Sequence, residues 1–294
     1  MKKLYTLLLF ILIVGSSCYA QKRDKNAVTE RDLYSDTWVA TDAIGRTMPT
    51  SEQTGEVKDD KRRVVGIFYI TWHTQDLHNQ PTPYTGDITQ ILLNDPSARK
   101  DTNHPAWKHT WFHYAEPEMG YFLSQDEWVV RKDMSMLTDA GVDVIILDVT
   151  NAVPYTHNAL QLMGILHELN EQGFDAPQVV FYTNSQAESV IRQVYNDIYK
   201  KGLYEDTWFK INGKPVIIGP MEANIDDFFT MKQNQWPTET SKVNGWPWMD
   251  FTHPQRVFAN LDGVDEVINV SVAQHSGNIR FGDSVLYGET SNCG

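Results

Sequence analysis

Along the chain, short apolar runs rich in β-branched residues alternate with amphipathic stretches. The runs are "RVVGIFYITWH" (63–73), "VDVIILDVTN" (142–151), "PQVVFYTN" (177–184), "KPVIIGP" (214–220) and "DEVINVSVAQH" (265–275). Near-continuous Val/Ile runs suit strands of a parallel sheet that is buried on both faces. The intervals predict helices. In "SQDEWVVRKDMSMLTDAG" (124–141), Ser124 and Glu127 have the spacing of a capping box. Val129, Val130, Met134 and Leu137 form its apolar stripe, and Gly141 ends it. "THNALQLMGILHELNEQG" (156–173) ends at Gly173. "TNSQAESVIRQVYNDIYKKG" (183–202) places Lys200 and Lys201 in its last turn, with Gly202 after them.

Strands alternating with helices mean βα units, built either into a barrel or into an open doubly wound sheet. An open nucleotide-binding sheet usually has a Gly-rich turn after its first strand. Here that strand runs into "TWHTQDLHNQPTPYTGD", with no such Gly pair near its end. The long first loop and the polar or aromatic strand ends favour the (β/α)8 TIM-barrel type.

The first twenty residues lie outside this pattern. Lys2 and Lys3 precede an apolar run over 7–14, then small residues and "CYAQ". This is a signal peptide whose apolar core is too short to span a membrane. Two processing routes are open: cleavage after Ala20, or lipidation at Cys18, which would make an outer-membrane lipoprotein. With simple cleavage the destination is secreted or periplasmic, and no other segment is long enough to cross a bilayer. Residues 21–60 are polar and weakly periodic, and read as an extended lead-in to a single domain over 61–294.

Charge narrows the partners. Losing residues 1–20 removes two Lys and no acid, so the mature chain is two units more negative than the formal −13. Nucleic acid and anionic lipid are poor partners for such a surface, whereas a neutral carbohydrate is unobstructed. Of the two cysteines only Cys293 remains after cleavage, so no disulfide framework is expected. Oligomeric state is not legible.

Barrel active sites lie at the C-terminal ends of the strands. Those ends carry Trp72 and His73, Asp148 and Asn151, Asn184, Glu222 just past the fourth strand, and His275. Ahead of the second strand, "WFHYAEPEMGYFLSQDEW" adds His113, Glu116 and Tyr121. Rings for apolar sugar faces with carboxylates and amides for hydroxyls are the inventory of a carbohydrate cleft. Each residue also has a plainer role. Asp148 could cap the loop it opens. Glu116 and Glu118, flanking Pro117, could form a solvated turn, and Trp111 could be core.

Other chemistries find less support. His73, Asp76 and His78 are spaced like metal ligands, as are His109 and His113, but neither set has a zinc-protease frame. There is no GxSxG, no phosphate-binding Gly loop and no Cys nucleophile in a suitable setting. No cofactor and no metal is called for.

The stretch "HYAEPEMGYFLSQDEWVVRKDMSMLTDAGVDVIILDVTN" resembles the glycoside hydrolase family 71 and 99 group of secreted bacterial proteins. The resemblance rests on His113, Glu116-Pro117, Gly120-Tyr121, Ala140-Gly141-Val142-Asp143 and Asp148, with "GIFYITWH" as first strand. It covers roughly residues 63–220. It implies a (β/α)8 barrel that hydrolyses glycosidic bonds with two carboxyl groups, for which Asp148 and Glu222 are the candidates. It also implies a late strand carrying Trp and Glu, and no such strand is recognised. Eight βα units need about 200 residues at minimum, and the long first loop leaves room for about five. The expectation is an incomplete barrel from a truncated chain, with impaired or no activity. A catalytically silent carbohydrate-binding relative is the alternative.

Overall fold

The computed structural model describes residues 41–50, 53, 63–73, 88–101, 103–107, 117–250 and 255–270. The signal peptide, Cys18, most of the lead-in, His113, Glu116, His275 and Cys293 lie outside them. Within the lead-in, residues 41–50 hold a tight turn in which Asp42 accepts from the backbone N–H groups of Ile44 and Arg46.

The strands are β1 (Gly66–Tyr69), β2 (Val144–Val149), β3 (Gln178–Thr183), β4 (Lys210–Ile211), β5 (Lys214–Ile218), β6 (Thr230–Gln235), β7 (Gly245–Pro247), β8 (Val257–Ala259) and β9 (Asp265–Ile268). The helices are α1 (Ile88–Asn94), α2 (Glu127–Asp139), α3 (Thr156–Glu171) and α4 (Ala187–Asp197). In the main sheet the order is β1-β2-β3-β5-β6-β7, every neighbouring pair is parallel, and β4 is an antiparallel addition to β5. Strand order follows chain order with no reversal. A doubly wound sheet would reverse at a switch point, so this is the winding of a (β/α) barrel. The sheet curls into a half-barrel with helices against it. Among the described residues, β1 pairs only with β2 and β7 only with β6.

The two-residue period of the strands sorts their side chains. Ile145, Leu147, Val149, Val179, Phe181, Ile217 and Met231 face outward and pack with Val130 and Met134 of α2, Leu162 and Leu166 of α3, and Ile191 and Val194 of α4. This is the main core. The inner face carries Val144, Val180, Tyr182, Val216 and Ile218, with Phe68, Ile146, Phe209, Trp246 and Trp248 packed on them. Tyr69 leans to the outer side, where its hydroxyl donates to Asp133 of α2 at 2.8 Å.

Two expectations are corrected. Ser124 does not cap α2. Asp126 does, accepting from Trp128 and Val129 N–H. Ser124 instead clasps the end of β1: its Oγ accepts from His73 N–H at 3.1 Å, and its own N–H donates to His73 O at 2.7 Å. The run at 265–275 is not a fifth parallel strand. Its described part, β9, pairs antiparallel with β8 in a separate hairpin, so Ile268 and Val270 are exposed rather than lining a barrel. The further parallel strands are β6 and β7, which have no apolar run to announce them.

Candidate functional site

All six parallel strands point their C-terminal ends the same way, and Asp148 stands on that rim. It shares the parity of Val144 and Ile146, so it faces inward, and it is buried. Its Oδ1 accepts from Thr150 N–H at 3.0 Å and from the Thr150 hydroxyl at 2.7 Å. Asp148 therefore organises the loop that follows it, as its plainer role anticipates, while occupying the inner face. That loop is strained. Ala152 has φ +69° and Tyr155 φ +46°, a region that costs non-glycine residues about 1 kcal/mol or more each. Asn151, at the exposed start of the loop, donates from its amide to the Tyr155 hydroxyl at 2.6 Å. Burial pushes the Tyr155 phenol up; the Asn151 contact opposes this, and nearby Asp148 adds to it.

Tyr182 is the register partner of Asp148 on β3 and extends across the inner face. Its hydroxyl accepts from Gln235 N–H at 2.9 Å and faces the carbonyls of Gln235 and Trp246 at 3.1 and 3.0 Å. One side chain thus fastens β3 to both β6 and β7. Burial raises the phenol well above its usual range, and the negative charges of Glu239 and Asp148 act in the same direction. Two residues on, Asn184 Oδ1 accepts from the Asn234 amide at 3.0 Å, joining the ends of β3 and β6.

Glu222 lies on a short turn after β5, exposed, in an open groove of about 560 Å³. Asn184, Gln186, Glu188 and Arg192 line the same groove. Glu222 and Asn184 therefore share one depression, and Asp148 is not among its lining residues. Trp72 is half-buried against the helix-side core, and its buried Nε1 has no hydrogen-bond partner among the described residues. His73 meets Phe122 edge-to-face at 5.9 Å, and burial holds its imidazole below the ordinary 6.5. Tyr121 is half-buried just after Gly120. His113, Glu116 and His275 lie outside the described residues.

The structure adds residues that the sequence reading passed over. β6 ends at Gln235 and leads directly into Trp236, with Glu239 three residues on. This places a Trp and a Glu just past the end of a late strand. Lys232 and Asn234 point inward from β6, and Trp236 stacks on Trp248. Among the described residues no group of three or more His, Cys, Asp or Glu could hold a metal, and no helix is long and apolar enough to cross a membrane.

Fold and rim together define an α/β protein of the partial-barrel type, with polar and aromatic groups gathered at the strand C-termini. No family model matches the sequence, and no curated protein does. Among solved structures the chain is similar to the GH99 endo-alpha-mannosidase from Bacteroides thetaiotaomicron, at 16% identity and a TM-score of 0.34. That likeness covers 57% of this chain and 46% of the other, so the chain spans less than half of that protein's length. At that level it assigns neither activity nor substrate.

Proposed function

We propose that this is an exported, glycoside hydrolase-like protein that binds a polysaccharide or glycan across the C-terminal ends of its strands. The observation that carries the reading is the set gathered on one rim. It comprises a buried inward carboxylate at Asp148, the Asn184–Asn234 amide pair and a stacked Trp pair beyond β6 and β7. Amides and carboxylates match alternating hydroxyls, and flat rings match the apolar faces of pyranoses. The resemblance to the family 71 and 99 group supports the same class.

In the catalytic form, Asp148 and Glu222 supply the two carboxyl groups. One protonates the leaving oxygen and the other acts from the opposite side of the sugar. Trp72, His73, His113, Glu116, Tyr121, Asn151, Asn184 and His275 form the binding surround in this reading. The non-catalytic form, a carbohydrate-binding relative, is favoured by one observation: Glu222 lines a groove that Asp148 does not.

The test is a panel of plant and microbial polysaccharides, assayed for retention of the protein and for released reducing ends. Retention by at least one polysaccharide is expected. Turnover abolished by Asp148→Asn with retention intact supports hydrolysis. Retention without turnover supports the binder, and no retention on any polysaccharide defeats the glycan reading.

A further inference from the structure

The loop after β6 builds a flat aromatic face that the proposed pair of carboxyl groups does not use. Trp236 and Trp248 lie ring on ring, centroids 4.8 Å apart and planes within 3°. Each follows closely on the C-terminal end of its strand, β6 or β7, so the pair stands on the same rim as Asp148 and Asn184. A stacked pair covers one face of each ring. Trp236 nevertheless remains 36% exposed.

The platform is held in place by the protein alone. Trp236 N–H donates to Glu239 Oε2 at 2.9 Å, and its carbonyl accepts from the Gln235 amide at 2.9 Å. Lys242 Nζ pairs with Glu239 at 2.8 Å, and its backbone N–H donates to Gln235 Oε1 at 2.7 Å. From below, Arg256 clamps the loop, donating to Glu239 O at 2.8 Å and Pro237 O at 3.2 Å while paired with the wholly buried Asp250. A ring fixed before binding loses little freedom on binding, which is the condition for an effective stacking surface. Its rim is polar. Lys242 holds the Glu239 carboxyl below the usual range, so the group is an ionised acceptor at neutral pH.

We infer that Trp236 is a sugar-stacking subsite: its indole takes the apolar face of a neutral pyranose, while Glu239 and Lys242 bond hydroxyls at the ring edge. This rests on the glycan reading above and extends the binding surface to the β6–β7 side of the rim. A nucleic-acid base would also stack on indole. Its phosphates, however, would meet Glu239 and a chain of formal charge −13.

The test is native affinity electrophoresis of the full chain in gels containing soluble mannan, β-glucan, xyloglucan or arabinoxylan. Wild type is compared with Trp236→Ala, Trp236→Phe and Trp128→Ala, the last a control on the exposed face of α2. Trp236→Ala should bind the retarding polysaccharide about tenfold more weakly, the scale of one lost aromatic contact. Trp236→Phe, which keeps a flat ring, should stay within a few-fold of wild type, and Trp128→Ala should be unchanged. If Trp236→Ala binds like wild type, or Trp236→Phe is as weak as Trp236→Ala, stacking at Trp236 is wrong while the glycan reading stands. If wild type is retarded by none of the four, the glycan reading fails and this subsite with it.

Discussion

Lys232 donates to both carboxylate oxygens of Glu266 at 2.7 Å, and its third proton goes to Asn244 at 3.1 Å. Lys232 points inward from β6 and Glu266 belongs to β9, so this ion pair latches the β8–β9 hairpin onto the parallel sheet. Trp246 Nε1 adds a bond to the same carboxylate at 3.0 Å. A buried ammonium that loses its counter-ion is costly, whereas removing both charges together is often close to neutral. Glu266→Ala should therefore lose about 3 kcal/mol of stability, the low end for a buried pair, because Glu266 is partly solvated. Adding Lys232→Met should recover much of that loss. Urea unfolding of the single and double variants checks both halves.

Gly219, just past the end of β5, packs tightly against β3 and α4. A Cβ there would sit 2.6 Å from Thr183 Oγ1 and 2.9 Å from Ile191 Cδ1. The backbone cannot easily retreat, since Gly219 N–H donates to Lys232 O at 2.8 Å and Thr183 Oγ1 is held by Ile218 O. Gly219→Ala should cost about 1–3 kcal/mol by overpacking, read from a lowered urea midpoint at unchanged slope.

At the start of α2 the capping role that the sequence pattern gives to Ser124 belongs to Asp126, and Ser124 holds the end of β1 instead. Asp126→Ala should cost about 1 kcal/mol through the lost cap. Ser124→Ala should act instead on the β1 end, where it removes the acceptor of the His73 N–H. Native-state hydrogen exchange distinguishes them. Protection at Trp128 and Val129 should fall in the first variant, and at His73 in the second. The opposite pattern would restore Ser124 as the cap.

The same contrast explains what the sequence made legible. β2, β3 and β5 were readable because both of their faces are buried, so Val, Ile and Leu run on without alternation. β6, "TMKQNQ", was not. Its inward positions carry Lys232 and Asn234, satisfied by Glu266, Asn244 and Asn184 from distant parts of the chain, and that pairing is invisible before folding. β7 spans three residues and one is Pro, too short to show any period. The 265–275 run has β-branched residues at alternate positions, which a half-exposed hairpin strand shares with a barrel strand. Asp148 could be placed at a strand end from pattern alone. Trp236, Trp248 and Glu239 could not, because recognising them required β6 and β7 first.

His73 gives the fold a pH dependence. Burial keeps its imidazole below the ordinary 6.5, so it is neutral in the folded protein at neutral pH. As pH falls through about 6.5 the unfolded chain takes up a proton that the folded chain refuses. The contribution of this group is therefore complete above that pH and declines as pH drops toward the folded value. The unfolding free energy of wild type minus that of His73→Asn should be flat above about pH 7.5 and fall with acidification below about 6.5. Taking the difference removes the carboxylates common to both proteins. A difference that stays level from pH 8 to 5 would show that His73 titrates alike in both states.

Tyr182 links stability to the rim, because one hydroxyl joins β3 to β6 and β7. Tyr182→Phe keeps the ring against Phe68, whose centroid lies 5.3 Å away, and deletes only the hydroxyl. It strands the Gln235 N–H, a buried donor, and removes a donor from the Gln235 and Trp246 carbonyls. An unsatisfied buried donor costs about 1–3 kcal/mol, so a stability loss of that size is expected. The functional consequence should be larger than a remote packing change would give. β6 and β7 carry Trp236 and Trp248, and loosening their junction lets the two indoles separate. On the glycan reading, Tyr182→Phe should weaken polysaccharide retention while leaving the helix content unchanged by circular dichroism. Hydrogen exchange at the Gln235 amide should accelerate in the same variant. Wild-type protection at that amide would mean that another group holds β6 in register, and that the hydroxyl is not the fastener.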